Sequence, residues 1–225
     1  MASTSSALSP TASKTNSSSS SPRPRVAFLG PLGTYSHQAA TDFFGFEVDL
    51  VPQARIADVF QATSSSSTAF GLVPLENSSF GPVAETMDSL RTTRLSARGM
   101  TSLRVGHALL GAQGRVGEGE VKRVYSHEQA IGQCRAYLAS HYPSASILPV
   151  ASTALAAQKA AQDLEALAIC SLMCAEVYGL EVVDRDIQDS AANTTRFLAL
   201  SLPDVPLPSK YPVKPTRVLD LDPEQ

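Results

Sequence analysis

The chain has 225 residues, of which 43% are hydrophobic, and a formal net charge of −3. This length suits one α/β domain or two small lobes, and the apolar content is sufficient for a packed core. The first 25 residues carry three basic residues and no acidic one, so the remainder is more acidic than the whole, which argues against nucleic-acid binding. No apolar run approaches the roughly 20 residues of a membrane-spanning helix, and no secretory signal peptide is recognisable.

Both ends of the chain differ in composition from the middle. Residues 1–24 are rich in Ser and are predicted to form a disordered tail, and the Pro-rich residues 201–225 are predicted to form a second tail. The first segment could also suit an organelle transit peptide, but its few arginines and weak amphipathic pattern favour plain disorder and a cytoplasmic protein. The odd count of three cysteines, Cys134, Cys170 and Cys174, indicates a reducing compartment and buried thiols.

The first half of the chain alternates strands with helices. The apolar run 26–29 predicts a buried strand, and the Gly-containing loop 30–34 leads into a helix that begins near Ser36. A second helix is predicted over 55–62. A strand over 70–75, a polar loop over 76–81 and a helix over 82–90 repeat the same pattern.

The second half continues the alternation. Strands are predicted over 103–110, 121–125, 147–150, 167–170 and 195–200, with a turn over 111–120. One helix follows Ser126, another covers 153–162 with Ser152 as its cap, and a third ends at Gly179. Residues 184–193 are polar and acidic, and the alternation also pauses around 94–103.

These elements predict an α/β protein with mostly parallel sheets. The two pauses predict two lobes within the domain 25–200: lobe 1 over about 25–101 plus 187–200, and lobe 2 over about 102–186. Because ligands of open α/β sheets bind at the carboxyl ends of the strands, we expect a cleft between the lobes.

Three stretches carry groups that suit an anionic ligand. The loop 30–36 offers free backbone N–H groups at a helix start, although such loops often only make tight turns. Asn77 and Ser78 lie between a strand and a helix, where helix capping is the simpler explanation. Thr195 and Arg196 place a hydroxyl beside a guanidinium, unless Arg196 only pairs with a surface acid.

Together these stretches resemble the prephenate dehydratase family. The resemblance rests on the segments GPLGTYSHQAA, VPLENSSFGPVAETMDSL, YSHEQAIGQC and IQDSAANTTRFLAL, in that order, and covers about residues 25–200. It implies two α/β lobes like those of type 2 periplasmic binding proteins, with the active site in the cleft. It also implies decarboxylating dehydration of prephenate to phenylpyruvate in phenylalanine biosynthesis by a hydro-lyase that needs no metal and no organic cofactor.

The resemblance also assigns roles to residues. It makes Thr195 the residue most strongly tied to catalysis, together with Asn77 and Gln133. Either Gln133 or Gln129 is expected to contact the substrate, and the resemblance does not decide between them. We expect Thr195 to assist the departing hydroxyl and Arg196 to support it electrostatically. The other expected substrate-binding residues are Thr34, Tyr35, Ser36, Ser78, Ser126, His127, Gln129, Arg196 and Phe197; for His127 a structural role at a helix start is an equal alternative.

Departures from the family pattern bear on regulation and substrate. The sequence after Leu200 is too short for the family's C-terminal ACT domain, so we expect either a catalytic-domain-only form or a truncated chain. Phenylalanine inhibition through that domain is then not expected. A homodimer is expected, because relatives are usually dimers. Arogenate dehydratase, which acts on the transaminated substrate, and a non-catalytic anion-binding module remain alternatives. A metal-dependent hydrolase is disfavoured because the four histidines are scattered, and a serine hydrolase because no Gly-x-Ser-x-Gly elbow occurs.

Overall fold

A computed structural model describes residues 22–114 and 121–206, and the backbone of residues 216–217. Nearly all of the predicted N-terminal tail, part of the predicted turn over 111–120 and most of the predicted C-terminal tail therefore lie outside the described residues. The described helices are all too short to cross a bilayer.

The first lobe is built on a twisted sheet with helices on both faces. Its strands are β1 (Arg25–Leu29), β2 (Asp49–Gln53), β3 (Phe70–Asn77), β4 (Gly81–Pro82), β5 (Ser96–Arg104), β11 (Thr194–Ser201) and β12 (Thr216–Arg217). Its helices are α1 (Tyr35–Phe44), α2 (Ile56–Ser64) and α3 (Ala84–Thr92). The sheet order is β12-β5-β11-β3-β1-β2, with β4 paired to β3.

The second lobe is smaller and follows the same plan. Its strands are β6 (Ala108–Ala112), β7 (Arg123–Ser126), β8 (Ser146–Pro149), β9 (Ala166–Cys170) and β10 (Leu180–Asp184), in the order β10-β6-β9-β7-β8. Its helices are α4 (Glu128–Gln133), α5 (Arg135–His141), α6 (Thr153–Ala160) and α7 (Met173–Tyr178). The chain thus has the predicted two-lobed α/β architecture.

The prediction of mostly parallel sheets is wrong, because both sheets are mixed. Of the ten strand pairings among the described residues, four are parallel: β1 with β2 and β3, and β7 with β8 and β9. Five of the six antiparallel pairings involve a strand that flanks a passage between the lobes, and the sixth joins β3 to the short β4. A strand that enters a sheet from the other lobe starts at the edge where the parallel strands have their carboxyl ends. It is therefore antiparallel to them.

Local sequence explains where helices α1 and α6 begin. Thr34 caps α1 by accepting a hydrogen bond from the His37 N–H (3.2 Å), and Ser152 caps α6 by accepting one from the Leu155 N–H (3.0 Å). Each helix then packs an Ala-containing stripe onto its sheet. The fully buried face of α6 consists of Ala154, Ala156, Ala157 and Ala160, and small side chains there allow close helix–sheet approach.

The lobes are joined by two passages of chain, residues 105–107 and 185–193, which are hydrogen-bonded to each other. The Val105 N–H donates to the Asn193 carbonyl (2.8 Å), and the Ile187 N–H donates to the His107 carbonyl (3.0 Å). The His107 N–H donates to Gln188 Oε1 (2.7 Å). The two passages therefore form one paired hinge.

A second contact between lobes lies at the loop before α1. The Gly33 carbonyl accepts from Ser171 Oγ (2.6 Å) and Cys174 Sγ (3.1 Å), and the Leu32 carbonyl accepts from the Tyr178 hydroxyl (2.6 Å). Gly33 has a φ of +85°, and a Cβ there would lie 2.9 Å from Cys174 Sγ. Glycine is therefore required both by the backbone conformation and by the close approach of α7.

Several elements differ from the sequence prediction. Five of the described strands, β2, β4, β5, β10 and β12, were not predicted, apart from the last two residues of β5. The predicted strand 103–110 is divided at 105–107 between the two sheets. β5 continues to Arg104, beyond the predicted lobe border at 101, and the helix predicted after Ser126 is interrupted at Cys134. β5 was missed because it contains polar residues, such as the buried Arg98, and therefore lacks the apolar run that predicts a buried strand.

Arg98 also explains why residues 201–206 are not a free tail as predicted. Its guanidinium donates to Ser201 Oγ (2.6 Å) and to the carbonyls of Leu202, Pro203 and Val205 (2.7–2.9 Å). Leu202 and Val205 pack against the core of the first lobe. A buried cation thus organises the first residues of the Pro-rich segment, and β12 further on pairs with β5.

Candidate functional site

A cavity of about 630 Å³ lies between the lobes, at the carboxyl ends of the central strands. This is within the size range of small-molecule sites. Its apolar lining includes Leu29, Phe80, Val83, Val105 and Phe197, and its polar lining consists of Thr34, Tyr35, Ser36, Asn77, His107, His127, Gln129, Gln133, Ser152, Thr153, Asn193 and Thr195. The lining contains no Asp, Glu, Lys or Arg among the described residues.

Asn77 and Thr195 face each other across two antiparallel strands. They are partners in the register of β3 and β11, and Asn77 Nδ2 donates to Thr195 Oγ1 at 2.8 Å. Asn77 Oδ1 accepts from the backbone N–H groups of Ser79 (2.9 Å) and Phe80 (3.2 Å). Because these two donors fix which end of the Asn77 amide is oxygen, the amide nitrogen must point at Thr195.

This geometry determines what the Thr195 hydroxyl can do. Its oxygen accepts the Asn77 hydrogen bond, so its own hydrogen is available for another acceptor. No described residue accepts that hydrogen, and Thr195 lines the cavity. Thr195 therefore presents a hydrogen-bond donor to whatever occupies the cavity.

Gln133 is held from the other side of the cavity by two residues of the hinge. Its Oε1 accepts from His107 Nε2 (2.9 Å) and from Asn193 Nδ2 (3.0 Å), while Asn193 Oδ1 accepts from Asn77 Nδ2 (2.7 Å). Sequence reasoning assigned no role to His107 or Asn193. The signals were present: Asn193 precedes Thr195 within the motif used above, and His107 is a polar interruption of an apolar run.

His107 is buried, with 3% of its surface exposed, and its burial lowers the pKa of the imidazole despite the opposing hydrogen bond to Gln133. It is therefore neutral at pH 7. Its Nδ1 lies 2.7 Å from the Tyr35 hydroxyl, and burial raises the pKa of Tyr35 well above its ordinary value, so this phenol stays protonated.

Helix starts surround the rest of the cavity. α1 begins at Tyr35, α4 at Glu128 and α6 at Thr153, and residues at each start line the cavity. The backbone N–H groups in the first turn of a helix have no partner within the helix, and the helix dipole places partial positive charge there. The cavity can therefore receive an anion without a charged side chain.

The predicted site residues fall into two groups. Thr34, Tyr35, Ser36, Asn77, His127, Gln129, Gln133, Thr195 and Phe197 line the cavity. Thr34 and His127 also cap helices, since the His127 ring nitrogen accepts from the Gln129 N–H (3.3 Å). His127 thus has the structural role that was one of its two predicted alternatives.

Ser78, Ser126 and Arg196 do not line the cavity. Ser78 Oγ accepts from the Thr194 N–H (2.9 Å) and so joins β3 to β11, while the fully buried Ser126 Oγ donates to the Ile169 carbonyl (2.7 Å). Arg196 Nε lies 2.8 Å from Glu76 Oε1 and forms an ion pair with it, but its N–H does not make a hydrogen bond. As Arg196 lies between Thr195 and Phe197 on one strand, its side chain points to the opposite face of the sheet.

The fold and the site together define a class: a two-lobed α/β protein with a cleft between its lobes of a size that suits a small molecule. A family model described as prephenate dehydratase matches residues 26–204. The chain therefore belongs to the prephenate dehydratase family, which confirms the resemblance drawn from its motifs.

Individual relatives agree with the family. The chain is 39% identical over 186 residues to a bifunctional chorismate mutase/prephenate dehydratase of Stutzerimonas stutzeri, covering 81% of this chain and 50% of that protein. It is 35% identical over 179 residues to a prephenate dehydratase of Lactococcus lactis, covering 78% and 63%. The crystal structure of prephenate dehydratase from Arthrobacter aurescens, in complex with L-Phe, superposes with a TM-score of 0.72 at 27% identity, covering 82% of this chain and 62% of that one.

The chain spans about half the length of the bifunctional relatives that it matches. The family model, which begins at residue 26 and ends at residue 204, covers both lobes and the residues that line the cavity.

Proposed function

We propose that this chain is a prephenate dehydratase, a carbon–oxygen lyase that converts prephenate to phenylpyruvate. The observation that carries the proposal is the free donor of Thr195, which Asn77 fixes in a cavity otherwise lined by neutral groups and helix starts. Membership of the family supports the same reaction.

The chemistry of the substrate explains why such a site suffices. Prephenate carries two carboxylates and a ring hydroxyl. When the bond from the ring to its carboxylate breaks, the electrons of that bond enter the ring and expel the hydroxyl. One proton is taken up, and the products are phenylpyruvate, carbon dioxide and water. Because the ring becomes aromatic, no nucleophile is needed, and the protein has only to orient the substrate and stabilise the departing oxygen.

Thr195 is proposed to donate its hydrogen bond to the departing hydroxyl. A threonine hydroxyl is a weak acid, so it assists mainly by stabilising developing negative charge on that oxygen, and the proton comes ultimately from solvent. Asn77 keeps the Thr195 hydroxyl in its donor orientation. His107 and Asn193 fix the Gln133 amide through its Oε1, and no described residue accepts from its two N–H groups, so these are available on the lobe 2 side.

The carboxylates are proposed to lie at the helix starts. Thr34–Ser36 at α1 and Ser152–Thr153 at α6 line the cavity from opposite lobes, and two separated anion sites suit a dianion. Arg196 has no place in this scheme, because its guanidinium pairs with Glu76 on the other face of the sheet. The earlier expectation of direct electrostatic help from Arg196 is therefore not part of the proposal.

Turnover assays test the proposal directly. Purified protein is given prephenate or arogenate, and phenylpyruvate or phenylalanine is quantified, beside Thr195→Val and the neighbouring control Thr194→Val. We expect turnover of prephenate that falls by about 10²–10³ in Thr195→Val and changes little in Thr194→Val.

Other outcomes would separate the alternatives. A preference for arogenate would make this an arogenate dehydratase with the same mechanism. Binding of prephenate without turnover of either substrate would instead support an anion-binding module. The expected cytoplasmic location and homodimer stay predictions.

A further inference from the structure

His107 is a hinge residue whose side chain contacts both lobes. It lies in the passage 105–107, between β5 of the first lobe and β6 of the second. On one side its Nδ1 meets the hydroxyl of Tyr35 on α1 (2.7 Å), and on the other its Nε2 meets Oε1 of Gln133 on α4 (2.9 Å). The ring is 3% exposed, so both contacts are shielded from water.

Asn77, Asn193, Gln133, His107 and Tyr35 form a chain of hydrogen bonds. Two backbone donors fix the direction of each bond in it. The N–H groups of Ser79 and Phe80 make the Asn77 Oδ1 an acceptor, so Asn77 Nδ2 donates to Asn193 Oδ1. Asn193 must then donate through Nδ2 to Gln133 Oε1.

The same reasoning fixes the tautomer of His107. Because Gln133 Oε1 is an acceptor, His107 Nε2 must carry a hydrogen, and a neutral ring then leaves Nδ1 as the acceptor for the Tyr35 hydroxyl. The Tyr35 hydroxyl also lies 3.0 Å from the Gly106 carbonyl, so it keeps a partner if the ring changes.

We propose that His107 is a positioning residue, whose Nε2–H holds the Gln133 oxygen so that the Gln133 N–H groups face the substrate. Asn193 supplies the second donor to the same oxygen and connects it to Asn77 and Thr195. The hinge therefore sets the relative orientation of the catalytic groups of the two lobes. The proposal rests on the dehydratase function above, in which Gln133 binds substrate.

The decisive experiment compares two amide replacements of the ring. In His107→Gln, the amide nitrogen can occupy the position of Nε2 and still donate to Gln133, while Tyr35 donates to the Gly106 carbonyl. In His107→Asn, the shorter amide can reach only the position of Nδ1, so Gln133 loses this donor. The matched pair thus separates the Nε2–H from the rest of the ring.

Kinetics give the first readout. We expect kcat for prephenate to fall by about 10–100-fold in His107→Asn, with a smaller change in KM, because misplacement of a binding group by up to about 1 Å lowers the rate by this factor. In His107→Gln we expect kcat to be largely restored. In a Gln133→Ala background, His107→Asn should have little further effect, because His107 acts through Gln133. Equal losses in the two His107 variants, or an undiminished loss in the Gln133→Ala background, would overturn the proposal.

A second readout does not require turnover. In ¹⁵N-labelled protein the side-chain amide of Gln133, assigned by its loss in Gln133→Ala, should shift in His107→Asn and return near its original position in His107→Gln. If the unmodified protein turns over neither substrate but the amide follows this pattern, the dehydratase proposal fails and the positioning role stands. If the amide is the same in all three proteins, the positioning role fails.

Discussion

The cavity is built from two kinds of wall, one made of strand residues and the other of helix starts. On the strand wall, Asn77 and Thr195 are register partners whose side chains are oriented by backbone donors and by each other. On the helix wall, the residues at the starts of α1 and α6 offer backbone N–H groups, and the side chains of Thr34 and Ser152 serve mainly as caps. Under the proposed function, this difference separates reaction from binding: the strands hold the donor for the chemistry, and the helix starts bind the charge of the substrate.

The largest effect is expected from breaking the strand wall with Asn77→Asp. The aspartate keeps both backbone hydrogen bonds from Ser79 and Phe80 but presents an oxygen to Thr195. The Thr195 hydroxyl would then donate to that carboxylate and not to the substrate. We expect kcat to fall by about 10²–10³, measured by steady-state assay beside Thr194→Val. Retention of more than a tenth of the activity would show that Asn77 does not orient Thr195.

The helix wall is tested at Ser152 with two replacements of opposite character. Ser152→Ala removes the cap of α6 and should lower the free energy of unfolding by about 1 kcal/mol. Ser152→Asp keeps a good cap, so stability should be retained, but its carboxylate should raise KM for the dianion well above that of the alanine variant. Urea unfolding and KM measurements on both proteins check this. An unchanged KM in Ser152→Asp would place the substrate carboxylates elsewhere.

A smaller effect is expected from the ion pair on the opposite face of β11. Arg196 and Glu76 are each more than a third exposed, so screening by water limits their attraction to about 1 kcal/mol or less. A double-mutant cycle with Arg196→Gln and Glu76→Gln measures this coupling in unfolding experiments. A kcat loss in Arg196→Gln comparable to that of Asn77→Asp would contradict the separation of the two faces of this strand.

The last effect concerns the dependence of stability on pH and involves no change in activity. Burial lowers the pKa of His107 in the folded protein, so the unfolded chain takes up a proton at a higher pH than the folded chain does. This contribution to stability is present above pH ~6.5 and is lost as the pH falls below it, by at most about 1.4 kcal/mol per pH unit. Unfolding free energies at pH 7.5 and 5.5 should therefore differ less in His107→Gln than in the unmodified protein. His37, whose pKa burial also lowers, is present in both proteins and cancels in the comparison.

The strand–helix alternation and the family could be predicted from the sequence, because both depend on short stretches of chain: apolar runs for the strands and four motifs for the family. The start of α6 followed from Ser152 in the same way, whereas the capping role of Thr34 at α1 was not predicted. β5 was not predicted, because the buried Arg98 on it binds carbonyl groups from residues 202–205, a contact that sequence pattern does not display. The mixed direction of the sheets was also missed, because strand direction depends on where the chain passes between lobes.

The site was predictable only to the level of motifs. Asn77, Gln133 and Thr195 came from the family resemblance, and the cavity brings them together. That Arg196 points away from the cavity follows from its position on β11, where alternate side chains face opposite sides of the sheet. The role of His107 required knowing that Tyr35 and Gln133, 98 positions apart in the chain, lie on either side of one imidazole.

The absence of charged side chains from the described cavity lining has a consequence for how fast a substrate arrives. Helix dipoles act over short distances, and a chain with a net charge of −3 creates no long-range attraction for a dianion. Prephenate should therefore reach the cleft by unsteered diffusion, and added salt should leave the association rate unchanged or raise it slightly by screening repulsion. Under the proposed function, selectivity for the anion would therefore arise only at contact, after the molecule has entered the cleft.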